Sequence, residues 1–286
     1  MTESLDIEHL RSWIGAEERV EDLLDPGLAA RFHLTLDMPG DPAGEGDAAP
    51  RLLHFCLCQP IAATAMLGAD GHPARGGFLP PVPLPRRMWA ASRIAFIGDL
   101  RVGERVRRDS RISDVTVKEG RTGTLCFVTV DHRISGSSGV VVEEQQTIVY
   151  RGAEDGSMPP AAATAEAAPE GMVKQTVDPS PPLLFRYSAL TFNGHRIHYD
   201  RPYATDIEGY PGLVVHGPLQ ATLLLHFAAR QRDGRAPDRF TFRSGSPLYD
   251  LQPVELHCEA SGDGGLSLWT ARPGGPFAMR ADAAWN

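Results

Sequence analysis

The amino-acid sequence predicts an α+β fold made of two units of like design, each an antiparallel sheet wrapped on a helix. Three observations carry that expectation. Residues 91–150 and 240–286 contain runs that alternate apolar and polar positions between turns, the pattern of strand meanders with one covered face. Each meander follows a helical stretch opened by an Asp-Pro pair, Asp25-Pro26 in the first half and Asp178-Pro179 in the second; proline suits the first helical position, where no intrahelical N–H is needed. Residues 152–180, between the halves, are rich in Ala, Pro and Glu and read as a linker.

The chain's 286 residues, 42% hydrophobic and 22% charged, suffice for one large domain or two of about 140 residues each. A net charge of −8 argues against nucleic acid or an anionic membrane as partner, so an anionic ligand has to be held by local arginines. No run approaches about 18 consecutive apolar residues, so no membrane span is expected. The opening MTESLD lacks the basic and apolar regions of a signal peptide, and a cytoplasmic protein is expected. Of the four cysteines, Cys126 and Cys258 stand apart, while Cys56 and Cys58 lie in an apolar run where both act as small apolar side chains. The paired Cys/His spacings of a zinc site are absent, and no metal is expected.

Taken in order, residues 6–36 carry helical patterning. Apolar positions 7, 10, 13 and 14 share a helical face, and Asp25-Pro26 starts a second helix; Phe32, Leu34 and Leu36 also alternate as a strand would. Residues 39–46 (PGDPAGEG) form a loop. Residues 51–60 alternate Leu53, Phe55 and Leu57 with His54, Cys56 and Cys58 and are expected as a strand. Residues 68–87 are dense in Gly and Pro and are expected as a loop that walls a site, with cations beside Trp89 at its end. Strands are expected over 93–97, 105–112, 114–118, 125–132 and 140–150. In the second half an apolar helix is expected over about 217–231, followed by strands that begin at 240, 265 and 276.

Chemistry concentrates in RYSALTFNGHRIHYD (186–200) and PGLVVHG (211–217). His195 and His198 are three apart, so on a helical turn they share a face. Histidine exchanges protons near neutral pH. Asn193 can orient a water beside an imidazole, but its amide cannot take a proton. His216 and Gly217 fall at the expected start of the apolar helix. A helix N-terminus offers unpaired N–H groups and partial positive charge, suited to a thioester oxygen that gains enolate character, and glycine lets a ligand approach closely. The plainer alternative is a polar edge followed by an ordinary helix-start glycine.

SALTFNGHRIHYD (188–200) and YPGLVVHGP (210–218) resemble the active-site segment of the MaoC-like hydratases and dehydratases. Within these they are most similar to the branch of mesaconyl-C4-CoA hydratase, itaconyl-CoA hydratase and type-2 hydroxyacyl-thioester dehydratase. Over 91–150 and 240–286 the likeness is one of strand pattern. The resemblance implies a double hot-dog fold, two antiparallel sheets each wrapped around a central helix. Residues 1–151 would form a half that walls the substrate pocket and carries no catalytic motif, with 152–180 as the linker and 181–286 as the half that carries the motif. It implies a hydro-lyase that reversibly hydrates a short enoyl-CoA, of the C5 dicarboxylic kind, with no cofactor beyond the CoA of the substrate. The family's water-holding aspartate and histidine, five residues apart, fall on Asn193 and His198, and its oxyanion glycine falls on Gly217. His198 would then be the acid/base, with Asn193 and His195 holding the water. Tyr187, Thr191, His195, Arg196, His216, Arg86 and Arg87 are the substrate-binding candidates. A free acyl carboxylate calls for an arginine fork, drawn from Arg186, Arg196, Arg201, Arg86 and Arg87. Two alternatives stand beside this reading: a 3-hydroxyacyl-thioester dehydratase of fatty acyl chains, and an acyl-CoA-binding hot-dog protein without turnover, which Asn193 favours. A homodimer of double units is implied by analogy with sheets that pair edge to edge.

Overall fold

A computed structural model describes residues 5–120, 123–152 and 166–286. In the first half, α1 (Ile7–Arg11) is capped by Asp6, whose carboxylate accepts from His9 N–H. Strand β1 (Glu17–Leu23) interrupts the stretch expected to be helical: exposed and half-buried positions alternate along it with a period of two. Helix α2 (Pro26–Thr35) starts as predicted, with Asp25 Oδ1 accepting from Leu28 N–H at 3.0 Å. It continues through Phe32 and Leu34, so their strand-like alternation is incidental.

Residues 51–60 form no strand. A single 3₁₀ turn, Leu53–Cys56, occupies the segment, bracketed by left-handed Leu52 (φ 67) and Cys58 (φ 55). All of 52–58 is buried, so the apparent alternation came from a plug that is covered on every side. Among the described residues the four cysteines are free and buried; burial pushes the Cys56 thiol up to about 12 and leaves it unreactive.

The first meander comprises β2 (Arg86–Phe96), β3 (Arg105–Gly120), β4 (Gly123–Gly136) and β5 (Gly139–Arg151). The runs expected at 105–112 and 114–118 are one strand with a register shift between Ile112 and Asp114. Of the segment expected as a linker, 153–165 lies outside the described residues, and its C-terminal part contains a strand, β6 (Val173–Val177). Helix α3 (Pro181–Leu190) begins at Ser180-Pro181, one Ser-Pro step later than the Asp178-Pro179 start. Helix α4 (Gly217–Arg230) lies where expected, followed by β7 (Arg239–Ser244), β8 (Val254–Ala260), β9 (Leu266–Ala271) and β10 (Phe277–Ala284).

The strand order is β1-β3-β4-β5-β2-β7-β10-β9-β8-β6. The two sheets expected from the sequence are thus one ten-stranded sheet, joined where β2 pairs antiparallel with β7, Ile94 opposite Phe240. The core on α4 takes Leu219, Leu224, Leu225 and Ala228 together with Phe240, Leu256, Leu268 and Met279; α2 and the plug enter the same cluster with Phe96, Val106, Ile134 and Val142. Each such aliphatic side chain contributes about 1.5–3 kcal/mol on full burial. A second cluster, with Ile112, Val128 and Ile148, is covered by Leu10 and Val82. Among the described residues no helix is long and apolar enough to cross a membrane.

Candidate active site

A cavity of about 2110 Å³ runs between the halves, walled by loop 59–80, the strands of the first meander, and residues 188–220 and 244–252. A site for a small ligand usually occupies about 300–1,000 Å³, so this one has room for a considerably longer ligand. The plug contributes His54 and Phe55 to the wall, and the Gly/Pro-rich stretch lines it as its composition predicts.

The polar string folds by local rules. After α3 ends, Thr191 Oγ1 donates to Tyr187 O at 2.8 Å, and Phe192 (φ 48) turns the chain. Asn193 Oδ1 accepts from His195 N–H at 3.0 Å, a turn that asparagine favours. A 3₁₀ turn, Arg196–His198, follows. It sets the His195 and His198 rings edge to face, 5.4 Å apart. Asn193, His195 and His198 all line the cavity.

His198 is buried and held on two sides. Its Nδ1 lies 2.7 Å from Val214 O. A carbonyl only accepts, so Nδ1 carries the proton and Nε2 keeps its lone pair. The ring stacks on His216 at 3.7 Å and 18°. Burial pushes the His198 pKa down to about 4, opposed by the Val214 bond. His216 is likewise pushed well down by burial and by the fields of His198 and His195. It bonds Ser188 Oγ through Nε2 at 2.8 Å, and its buried Nδ1 has no partner among the described residues.

Gly217 opens α4 and lines the cavity. A Cβ there would lie 3.6 Å from Ser244 Oγ and 3.7 Å from Trp89 O, ordinary contacts, so packing does not require glycine. Among the described residues no acceptor takes the Gly217 N–H.

Several expected binding residues stand elsewhere. Tyr187 is fully buried, its hydroxyl 3.3 Å from Thr222 Oγ1, in the core beneath the site. Arg196 pairs with Asp200 at 2.7 Å and lies over the Tyr203 ring, so it braces the loop. His216 sits behind His198 and does not wall the cavity. Thr191 reaches the wall, but its hydroxyl serves the helix end. Arg201 pairs with the buried carboxylate of Asp250, Arg86 faces Glu208 at 3.5 Å, and Arg186 lines a separate, smaller hollow near Cys58. Arg87 lines the main cavity, its charge reaches the Tyr150 hydroxyl, and it has no carboxylate partner among the described residues.

Sequence reasoning expected loop 68–87 to wall the site but did not single out Asp70, His72, His54 or Glu144. Arg196 N–H donates to Asp70 O at 3.0 Å and Arg196 Nη1 to Ala69 O at 3.1 Å, tying loop 68–74 to the histidine string. Gly71, with φ +86, packs so closely that a Cβ would lie 2.0 Å from Gly194 O. Asp70 Oδ1 accepts from His72 N–H and Oδ2 from His72 Nδ1, both at 3.0 Å, and the His72 ring lies 4.3 Å from His195. Asp70, His72 and His195 offer ligand atoms within 4.8 Å of one another, although His72 already engages both Asp70 oxygens. Deeper in, Glu144 accepts from Ser92 Oγ at 2.6 Å and faces His54 Nε2 at 3.4 Å. Burial would raise its carboxyl, but the fields and bonds of His54, His132 and Ser92 hold it below the usual range. The only sequence signal for the loop pair was the string DGH at 70–72.

The comparisons with known proteins agree on one group. The model for hydroxyacyl-thioester dehydratase type 2 matches residues 50–250. The mesaconyl-C4-CoA hydratase of Chloroflexus aurantiacus is 46% identical over 271 residues, 94% of this chain and 95% of that one. A MaoC-like dehydratase from Phytophthora capsici superposes with a TM-score of 0.70 at 13% identity, covering 99% of both chains. A Mycobacterium tuberculosis protein described as a double hotdog fold superposes with a TM-score of 0.56 at 14% identity, covering 95% of this chain and 96% of that one. The structural likenesses establish the double hot-dog fold.

Proposed function

The chain belongs to the hydroxyacyl-thioester dehydratase type 2 family and is a hydro-lyase; from that premise we propose that it reversibly hydrates a short, C5 dicarboxylic enoyl-CoA such as mesaconyl-C4-CoA. The observation that carries the reading is His198, a neutral imidazole with its Nε2 lone pair free, lining the same cavity as the open N-terminus of α4. Nε2 takes a proton from water as the water oxygen bonds Cβ. The charge that develops on the thioester oxygen meets the Gly217 N–H and the helix dipole. In the simplest cycle His198 returns the proton to Cα. Asn193 and His195 hold the water, and the amide of Asn193 needs only to orient it.

Arg87 supports the dicarboxylic substrate. It lines the cavity, has no carboxylate partner among the described residues, and its field reaches His72 and His195, whereas Arg75 beside it spends its guanidinium on the carbonyls of Val82, Leu84 and Pro85. A carboxylate on the acyl group supplies the missing counter-ion as a charge-assisted pair. The chemistry needs no cofactor beyond the substrate's CoA. The free buried cysteines favour a reducing compartment, and we assign the protein to the cytoplasm. We further assign it a homodimer of double hot-dog units, formed by edge pairing of the long sheet.

The test is His198→Ala. Loss of the acid/base group should lower turnover of the enoyl-CoA by about 10²–10⁴-fold with the fold intact. Near-normal turnover in a folded variant removes His198 from the chemistry.

A further inference from the structure

Hydration handles two protons, one leaving the water oxygen and one arriving at the neighbouring Cα. A mechanism with His198 alone must carry the same proton from one to the other. The cavity holds a second titratable pair. Asp70 and His72 sit on loop 68–74 of the first half, and that loop is fixed to the histidine string by the two Arg196 bonds and by the backbone contact of Gly71 with Gly194. Both oxygens of Asp70 are spent on His72, one on its N–H and one on Nδ1. That clamp fixes the ring orientation and leaves Nε2 as the exchangeable nitrogen. Asp70 and His72 both line the cavity.

We propose that Asp70 and His72 form a second acid–base group of the site, contributed by the first half of the chain, which exchanges the proton at Cα while His198 exchanges the proton on oxygen. The proposal rests on the hydratase reading above. In hydration an O–H bond of water breaks, its proton goes to Nε2 of His198, and the oxygen bonds Cβ. The π pair moves toward Cα and the thioester oxygen. A Cα–H bond then forms with the proton held on Nε2 of His72, which becomes neutral. His198 has gained one proton and His72 has lost one. His195, 4.3 Å from the His72 ring and 5.4 Å from the His198 ring, stands between them for the return.

The charges around the cluster favour this division. Burial lowers the His72 pKa, Arg87 and Arg75 add to that, and the Asp70 carboxylate opposes it. His198 and His195 have no carboxylate bonded to them; burial takes the first down to about 4 and the second to about 2. Burial would raise Asp70, but the bonds from His72 hold its carboxyl well below the usual range. Of the three rings only His72 is bonded to a carboxylate, which supports the proton it delivers to Cα, whereas His198 is bonded to a carbonyl and keeps its Nε2 lone pair for the water.

The experiment compares His72→Gln and Asp70→Asn with wild type in hydration of mesaconyl-C4-CoA across pH, with thermal unfolding and bound-metal analysis of each protein. His72→Gln should lower kcat by about 10²-fold or more with KM little changed. Asp70→Asn should lower kcat by about 10–100-fold. With the carboxylate gone, His72 gives up its proton more easily, so the fall of the hydration rate at high pH should move to lower pH in Asp70→Asn. A merely structural role leaves that limb in place. The proposal is overturned if both folded variants keep wild-type kcat, or if the alkaline limb does not move. It is also overturned if the wild type carries a stoichiometric divalent ion that His72→Gln loses together with activity, which makes the trio a metal site. A wild type that turns over no enoyl-CoA instead overturns the hydratase reading, and this division of protons with it.

Discussion

Gly71→Ala tests whether the contact between the two loops builds the site. Gly71 has φ +86, and a Cβ there would meet the Gly194 carbonyl oxygen at 2.0 Å. The left-handed backbone alone costs about 1–2 kcal/mol for a residue with a Cβ. Non-bonded Cβ contacts below 3.0 Å essentially do not occur, so the loops must part by at least the difference, 1.0 Å. That movement stretches the 3.0 Å bond from Arg196 N–H to Asp70 O, worth about 0.5–1.5 kcal/mol, and shifts the turn that carries His195 and His198. A misplacement of about 1 Å near the chemistry costs on the order of 10²-fold in rate. Gly76→Ala is the control: φ is +89, but its Cβ would meet only Pro81 Cβ at 3.6 Å. Both variants should lose some melting temperature from the backbone term. In a kcat/KM assay on mesaconyl-C4-CoA, Gly71→Ala should fall about 10²-fold and Gly76→Ala should stay near wild type. Equal activities in the two variants would refute the claim that this contact positions the site.

Two further outcomes follow from the charges. Arg87→Met should raise KM for a dicarboxylic enoyl-CoA by roughly the 1.5–3 kcal/mol of a charge-assisted hydrogen bond, about 10–150-fold, and leave crotonyl-CoA nearly unaffected; equal losses on both substrates would remove Arg87 from carboxylate recognition. The folded pKa of His198 is depressed from 6.5 to about 4. Its contribution to stability is therefore fully present above pH 6.5 and is lost as pH falls toward 4, about 2 kcal/mol of it by pH 5. Denaturant titrations at pH 7.5 and pH 5 should show a smaller acid loss in His198→Gln than in wild type; parallel losses would show that the buried ring is not the source.

What the sequence reveals depends on how local each signal is. The helix start at Asp25-Pro26, α4 and most strands of the two meanders rest on short-range patterns and appear where those patterns put them, although β2 (Arg86–Phe96) begins inside the stretch expected as a loop. The plug at 52–58 and strand β1 mislead for opposite reasons. A segment buried on all sides carries no usable period, and the half-buried face of β1 (Glu18, Val20, Asp22) is too polar to register as one. Asn193, His195, His198 and Gly217 belong to two nearby strings, so the wall they form is legible. Asp70 and His72 lie more than a hundred residues earlier in a Gly/Pro loop with no periodicity, and only tertiary contact joins them to His195. Arg196 and Tyr187 look like binding groups because they share the string. Their side chains are instead consumed by Asp200, Tyr203 and Thr222, partners that spacing alone does not reveal.

The central claim is hydration of a dicarboxylic enoyl-CoA at this cavity. Its most direct measurement mixes the full-length protein with mesaconyl-C4-CoA, itaconyl-CoA or crotonyl-CoA and follows the loss of enoyl-thioester absorbance. Rapid loss with a C5 dicarboxylic substrate, slow loss with crotonyl-CoA and a loss slowed by about 10²–10⁴-fold in His198→Ala is the expected result. Tight binding of all three without any loss of absorbance would contradict the account and make the cavity an acyl-CoA-binding site.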